Sequence, residues 1–119
     1  MVSKRIVPGI KGRRETIVCE HNVAPHVDKF STPAMIMLME QAAMEAVNHL
    51  LEPNQTSVGY EVNVRHMAPA SLGARIVAQA ELTETERNRL TFNVAAYDGE
   101  TKIGEGTHRR AVISSEPVK

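Results

Sequence analysis

The sequence holds one cysteine, no tryptophan, and only four other aromatics: Phe30, Tyr60, Phe92 and Tyr97. Its charges cancel, 14 Lys+Arg against 14 Asp+Glu. Each scarcity excludes something. A lone Cys19 cannot close an intramolecular disulfide, which points to a reducing, cytoplasmic compartment. Zero formal charge lacks the basic excess of a nucleic-acid binder. The longest purely apolar run, Pro33 to Met39, is seven residues, far short of the roughly 18 that span a bilayer. Lys4, Arg5, Lys11, Arg13 and Arg14 break up any signal-peptide core near the start. No repeat, low-complexity tract or linker divides the 119 residues, so one domain over residues 1–119 is expected. With 42% hydrophobic residues but 3% aromatic, its core must be aliphatic, alanine-rich and padded with methionine.

What is present alternates or repeats with a readable period. After a first dozen residues that read as surface chain, Arg14 to Glu20 is a short β-rich run, and His21 to Phe30 reads as a loop. Ser31-Thr32-Pro33 opens the strongest helix signal, with a hydroxyl at the N-cap, assigned to Thr32, and proline at the first helical position. Eighteen helix-tolerant residues from Ala34 follow, stopped by Pro53. The first two turns are apolar all round, which predicts a helix enclosed by other structure. Thr56 to Met67 alternates, with Val58, Tyr60, Val62, Val64 and His66 on the inward face and Ser57, Glu61, Asn63 and Arg65 outward. Ala74 to Thr83 and Leu90 to Ala96 alternate likewise, separated by a polar turn over Thr85 to Asn88. Asp98-Gly99 marks a hairpin. Thr101 to Ile113 is a last strand interrupted by Gly104 and Gly106, before a polar tail from Ser114. One strand, one long helix and four strands joined by short turns predict a curved antiparallel sheet wrapped around a helix. Edge-to-edge pairing of two copies would protect its edges.

A few residues do not fit a plain core. Glu40 follows six apolar residues and shares a helix stripe with Ile36, Ala43, Met44 and Val47. Either it begins a solvated face continued by Gln41, Glu45 and His49, or it is an enclosed carboxylate suited to general-base or nucleophilic work. His66 is a core histidine or, facing the same interior as Glu40, its catalytic companion. Thr32 caps the helix or serves a site at the helix N-terminus. Eight residues of regular helix set Thr32 about 12 Å from Glu40. The two share a ligand only through an irregular first turn, a bridging ligand, or a two-fold that brings copies together. Gly59 marks a bulge, a close helix contact, or close approach of a ligand. The histidines at 21, 26, 49 and 108 lack zinc spacing, Gly104-x-Gly106 lacks the rest of a dinucleotide loop, and Cys19 reads as a buried thiol. His108-Arg109-Arg110 is a phosphate contact or a solvated strand face.

Three segments in order, S-T-P-A-M-I-M-L-M-E-Q-A-A (Ser31 to Ala43), T-S-V-G-Y-E-V-N-V-R-H-M-A-P (Thr56 to Pro69) and G-E-G-T-H-R-R (Gly104 to Arg110), resemble the hotdog-fold thioesterases. The likeness is greatest to the fluoroacetyl-CoA thioesterase branch and runs from about Thr16 to Val112. It implies an α+β hotdog fold, a homodimer with tetramers left open, sites at or near the interface, and hydrolysis of an acyl-CoA thioester. Thr32, Glu40 and His66 match the catalytic positions. Glu40 would act as nucleophile or base for water, His66 would polarise or position it, and Thr32 would orient the carboxylate or acyl group. Gly59 would help hold the carbonyl oxygen, and His26, Arg109 and Arg110 are further substrate-binding candidates. No cofactor or metal, no nucleic acid and no membrane is implied. The branch gates its pocket with aromatics before S-T-P; here Asn22 to Asp28 holds His26 and no aromatic, which favours a short acyl group other than fluoroacetyl. Two alternatives share the fold: a hydratase or dehydratase of enoyl- or hydroxyacyl-CoA, and a non-catalytic acyl-CoA-binding module.

Overall fold

A computed structural model describes residues 2–115. The elements are β1 (Lys11–Ile17), α1 (Thr32–Val47) with one 3-10 turn after it (Asn48–Leu50), β2 (Gln55–His66), β3 (Arg75–Glu86), β4 (Arg89–Asp98) and β5 (Thr101–Ser114). The strands make one antiparallel sheet in the order β1-β3-β4-β5-β2, and α1 packs on one face of it. The expected sheet on one long helix is therefore present.

The alternations of β3 and β4 hold. Ile76, Ala78, Ala80 and Leu82 are buried from one strand, and Leu90, Phe92, Val94 and Ala96 from its neighbour. They meet Met35, Leu38, Met39, Ala42, Ala43, Ala46 and Val47 of the helix. Two-residue turns join β3 to β4 and β4 to β5, with Arg87 at φ 57° and Gly99 at φ 60°, the left-handed conformation that tight hairpins require.

Four expectations are corrected. The first strand begins and ends three residues earlier than Arg14 to Glu20. Gly12 lies so close to α1 that a Cβ there would overlap the Ala42 carbonyl and the Ala46 amide, which sets the strand against the helix. Asn22 ends it by accepting the Cys19 N–H at 2.8 Å. The chain before β1 is not merely superficial, since Ile6 is in the core and Gly9 and Ile10 bond to Leu82. The helix cap is Ser31, whose hydroxyl accepts the Ala34 N–H at 3.2 Å, and Thr32 is the first helical residue. Within one chain α1 is covered on one side only: Met37 remains 56% exposed, because five strands of one copy cannot surround it.

β2 departs furthest. Gly59 pairs with Arg110 and Glu61 with Arg109, so Tyr60 is an extra residue in a bulge. Inward positions are odd-numbered before it, with Ser57 buried, and even-numbered after it, with Val64 and His66 partly buried. Val58, Tyr60 and Val62, expected inward, are exposed on this edge strand. β5 is continuous through Gly104 and Gly106 and takes in Ser114. Gly104 leaves room for the Met35 thioether. Residues 116–119 of the expected tail lie outside the described residues.

Candidate active site

Glu40 sits in the middle of α1, where the helix crosses β2 and β5. Its carboxylate is 30% exposed, neither solvated nor sealed. Gly59 faces it from β2, and a Cβ on that glycine would stand 2.9 Å from Glu40 Oε2. From β5 come two buried polar side chains, His108 and Arg110. Arg110 Nη1 is 3.8 Å from Glu40 Oε2, and His108 Nε2 is 4.0 Å from the same oxygen.

The cation is held from behind. Arg110 donates from Nε to Ser57 Oγ and from Nη2 to the Ser57 carbonyl, both at 2.9 Å, and from Nη1 to His108 Nε2 at 3.2 Å. Ser57 is buried because it serves this guanidinium, and a satisfied hydroxyl there costs little. Burial pulls the Arg110 pKa below its ordinary value, and the Glu40 charge opposes that pull. Burial also lowers the His108 pKa; the Glu61 carbonyl resists, Arg110 adds to the lowering and Glu40 counters it. A carboxylate with one open side, a buried guanidinium behind it and no side chain at Gly59 can attack, or activate water for attack on, a carbonyl brought to that side.

The other two predicted catalytic residues form a second group. Thr32 Oγ1 and His66 Nδ1 are 2.9 Å apart, joining the helix start to the end of β2. The bond exists because Ser31 does the capping and leaves the Thr32 hydroxyl free. His66 Nε2 is buried and has no hydrogen-bond partner. Among the described residues no hydrogen bond or ion pair links this pair to Glu40, which fits their separation of eight helical residues.

His108 and Arg110 are not a solvated strand face: their side chains point at Glu40, whereas Arg109 points to the other side and pairs with Glu61 at 3.4 Å. The two arginines therefore do not share one anion site. His26 lies exposed in the loop before α1. His108 and Ser57 went unrecognised as parts of the cluster. Stepping back by twos from buried Val112 reaches Arg110 and then His108, a signal present in the sequence; Ser57 needed the bulge. A groove of about 940 Å³, lined by outer-face residues such as Gln79, Asn93 and Thr107, contains none of these groups.

The chain is similar to known proteins over nearly its whole length. The family described as fluoroacetyl-CoA-specific thioesterase, FlK, matches residues 13–116. The fluoroacetyl-CoA thioesterase of Streptantibioticus cattleyicolor is 38% identical over 111 residues, 93% of this chain and 80% of that one. A solved structure of the fluoroacetyl-CoA thioesterase FlK superposes with a TM-score of 0.86 at 33% identity, covering 92% of this chain and 90% of that one. A variant of it in complex with acetyl-CoA gives 0.86 at 32%, with the same coverage. A hot-dog-like protein from Thermanaerovibrio acidaminovorans gives 0.85 at 26% identity, covering 91% of this chain and 84% of that one.

Proposed function

The chain belongs to the fluoroacetyl-CoA-specific thioesterase family, and from that premise we propose that it hydrolyses a small acyl-CoA thioester with Glu40 as the reacting carboxylate. The observation that carries this is the open Glu40 carboxylate set between the bare backbone of Gly59 and the buried Arg110 guanidinium. Water adds its oxygen to the acyl carbon, the C–S bond breaks, and CoA leaves as the thiol with the transferred proton. Glu40 either takes the water proton or attacks the carbonyl first. Gly59 N–H supports the carbonyl oxygen, and His66, steered by Thr32, presents its unpaired Nε2 to the acyl end. Family membership favours this over hydration of an enoyl-CoA or binding alone.

The site reads as complete only in a homodimer. β2 is an edge strand with Val58, Tyr60 and Val62 exposed, and such an edge seeks a partner. Antiparallel β2–β2 pairing about a two-fold at Asn63, with Tyr60 unpaired in the bulge, sets Gly59 of one copy opposite His66 of the other. Glu40 then meets the partner's Thr32 and His66, which its own helix holds about 12 Å away. The lone Cys19 supports a cytoplasmic location. A gate segment from Asn22 to Asp28 without aromatics supports acyl groups of acetyl size with no selectivity for fluorine.

A panel of short acyl-CoAs with a thiol-reactive dye tests the reading. Wild type should release CoA, and Glu40→Ala should slow kcat by roughly 10³-fold. No release above the Glu40→Ala control would overturn it. Absorbance loss with enoyl-CoA and no free thiol would identify a hydratase.

A further inference from the structure

His108 has no role in the chemistry above, yet it is the most enclosed ionisable group around Glu40, at 1% exposure. Its two nitrogens face partners of fixed character. The Glu61 carbonyl only accepts, so Nδ1, at 2.9 Å, carries the proton. The Arg110 guanidinium only donates, so Nε2, at 3.2 Å from Nη1, offers its lone pair. His108 is thus a neutral imidazole in the Nδ1–H form. The β2 bulge lies between Gly59 and Glu61, whose carbonyl takes the Nδ1 proton, and the Phe92 ring stacks on the imidazole with centroids 6.3 Å apart.

We propose that His108 is a positioning residue for Glu40, acting through Arg110: an uncharged acceptor that holds Nη1 toward the carboxylate without neutralising the guanidinium. This rests on the reading of Glu40 as the reacting carboxylate. A carboxylate in place of His108 would share the positive charge of Arg110, and a purely apolar side chain would leave Nη1 unaimed. Nε and Nη2 are bonded to Ser57, so the His108 bond fixes the one edge of the fork that faces Glu40.

The groups facing the ring are Glu40 from α1, Gly59 and the Glu61 carbonyl from β2, Phe92 from β4 and Arg110 on β5 itself. Protonation would reverse the arrangement. Nε2 would become a donor, its bond to Arg110 would break, and Glu40 Oε2, 4.0 Å away, would turn from guanidinium to imidazolium. Burial opposes that proton most strongly, and Arg110 opposes it further.

The test compares wild type with His108→Phe, which keeps a ring against Phe92 but offers no acceptor, and His108→Gln, which offers an acceptor that does not titrate. His108→Phe should lose roughly 30- to 100-fold in kcat with KM for the acyl-CoA within about twofold. His108→Gln should recover at least about fivefold of that loss. Imidazole 15N spectra of the wild type, which need no variant to fold, should show one of the five histidines as the Nδ1–H tautomer, titrating below the ordinary 6.5. Equal kcat in the Phe variant and wild type, equal kcat in the two variants, or a His108 ring that titrates at or above the ordinary 6.5 would each overturn the proposal. If instead Glu40→Ala is as active as wild type, the reading of Glu40 fails, while the spectra still decide whether the imidazole is locked.

Discussion

A Cβ placed on Gly59 would stand 2.8 Å from His108 Cε1 and 2.9 Å from Glu40 Oε2. His108 is bonded at both nitrogens and cannot yield, so the carboxylate must. Gly59→Ala should therefore lower kcat by roughly 10²-fold and stability by about 1–3 kcal/mol, read by CoA release and thermal melting. His108 also gives the protein a pH dependence of stability. Its pKa in the folded state lies below the ordinary 6.5. Above 6.5 folded and unfolded chains are both neutral there, and the group contributes nothing. Below it the unfolded chain takes up a proton that the folded chain refuses, so stability falls with pH until the folded group also titrates. Melting temperature measured downward from neutral pH should drop, and His108→Gln should flatten that drop. An identical slope in the variant would assign it to other groups.

Among the elements, those governed by local period were readable and those governed by contact were not. β3 and β4 alternate through Ile76, Ala78, Ala80 and Leu82 and through Leu90, Phe92, Val94 and Ala96, and all eight are buried. The start of β1 depends on how closely Gly12 approaches Ala42 and Ala46, which no local pattern reports. β2 misled because valines at 58 and 62 extend a period that a single extra residue interrupts. Of the candidate site, Thr32, Glu40, Gly59 and His66 were visible as residues out of place. Arg110 was legible only as a substrate-binding candidate alongside Arg109, and His108 only as part of a phosphate contact or a solvated strand face, because no local pattern shows that Glu40 lies opposite them. The start of α1 separates two hydroxyls that the sequence runs together. Ser31→Ala removes the bond to Ala34 N–H and should cost about 1 kcal/mol with kcat within about twofold. Thr32→Ala removes the bond to His66 and should do the opposite, sparing the melting temperature and lowering kcat by roughly 10–100-fold. The reverse pattern would return the cap to Thr32 and take it out of the site.

The whole molecule leaves the β2 edge and one side of its helix uncovered, with Tyr60 at 46% and Met37 at 56% exposure. For β2 the proposed partner is a second copy, which gives the dimer a functional signature. Mixing Glu40→Ala and His66→Ala subunits through unfolding and refolding makes about half the dimers mixed. In each mixed dimer one site unites an intact Glu40 with an intact His66. About a quarter of wild-type activity should return from two inactive parents. No recovery in a mixture shown to exchange subunits would place all three residues of each site within one chain.

Along a regular strand, residues an odd number apart point to opposite sides, and Gly59 and His66 are seven apart. Both nonetheless look inward, toward Glu40 and Thr32 respectively, because Tyr60 adds one unpaired step between them. Parity makes that step indispensable in a way that its chemistry does not. Any side chain at position 60 preserves the count, whereas deleting the residue would turn one half of the proposed site out to solvent while leaving every proposed catalytic group in the sequence.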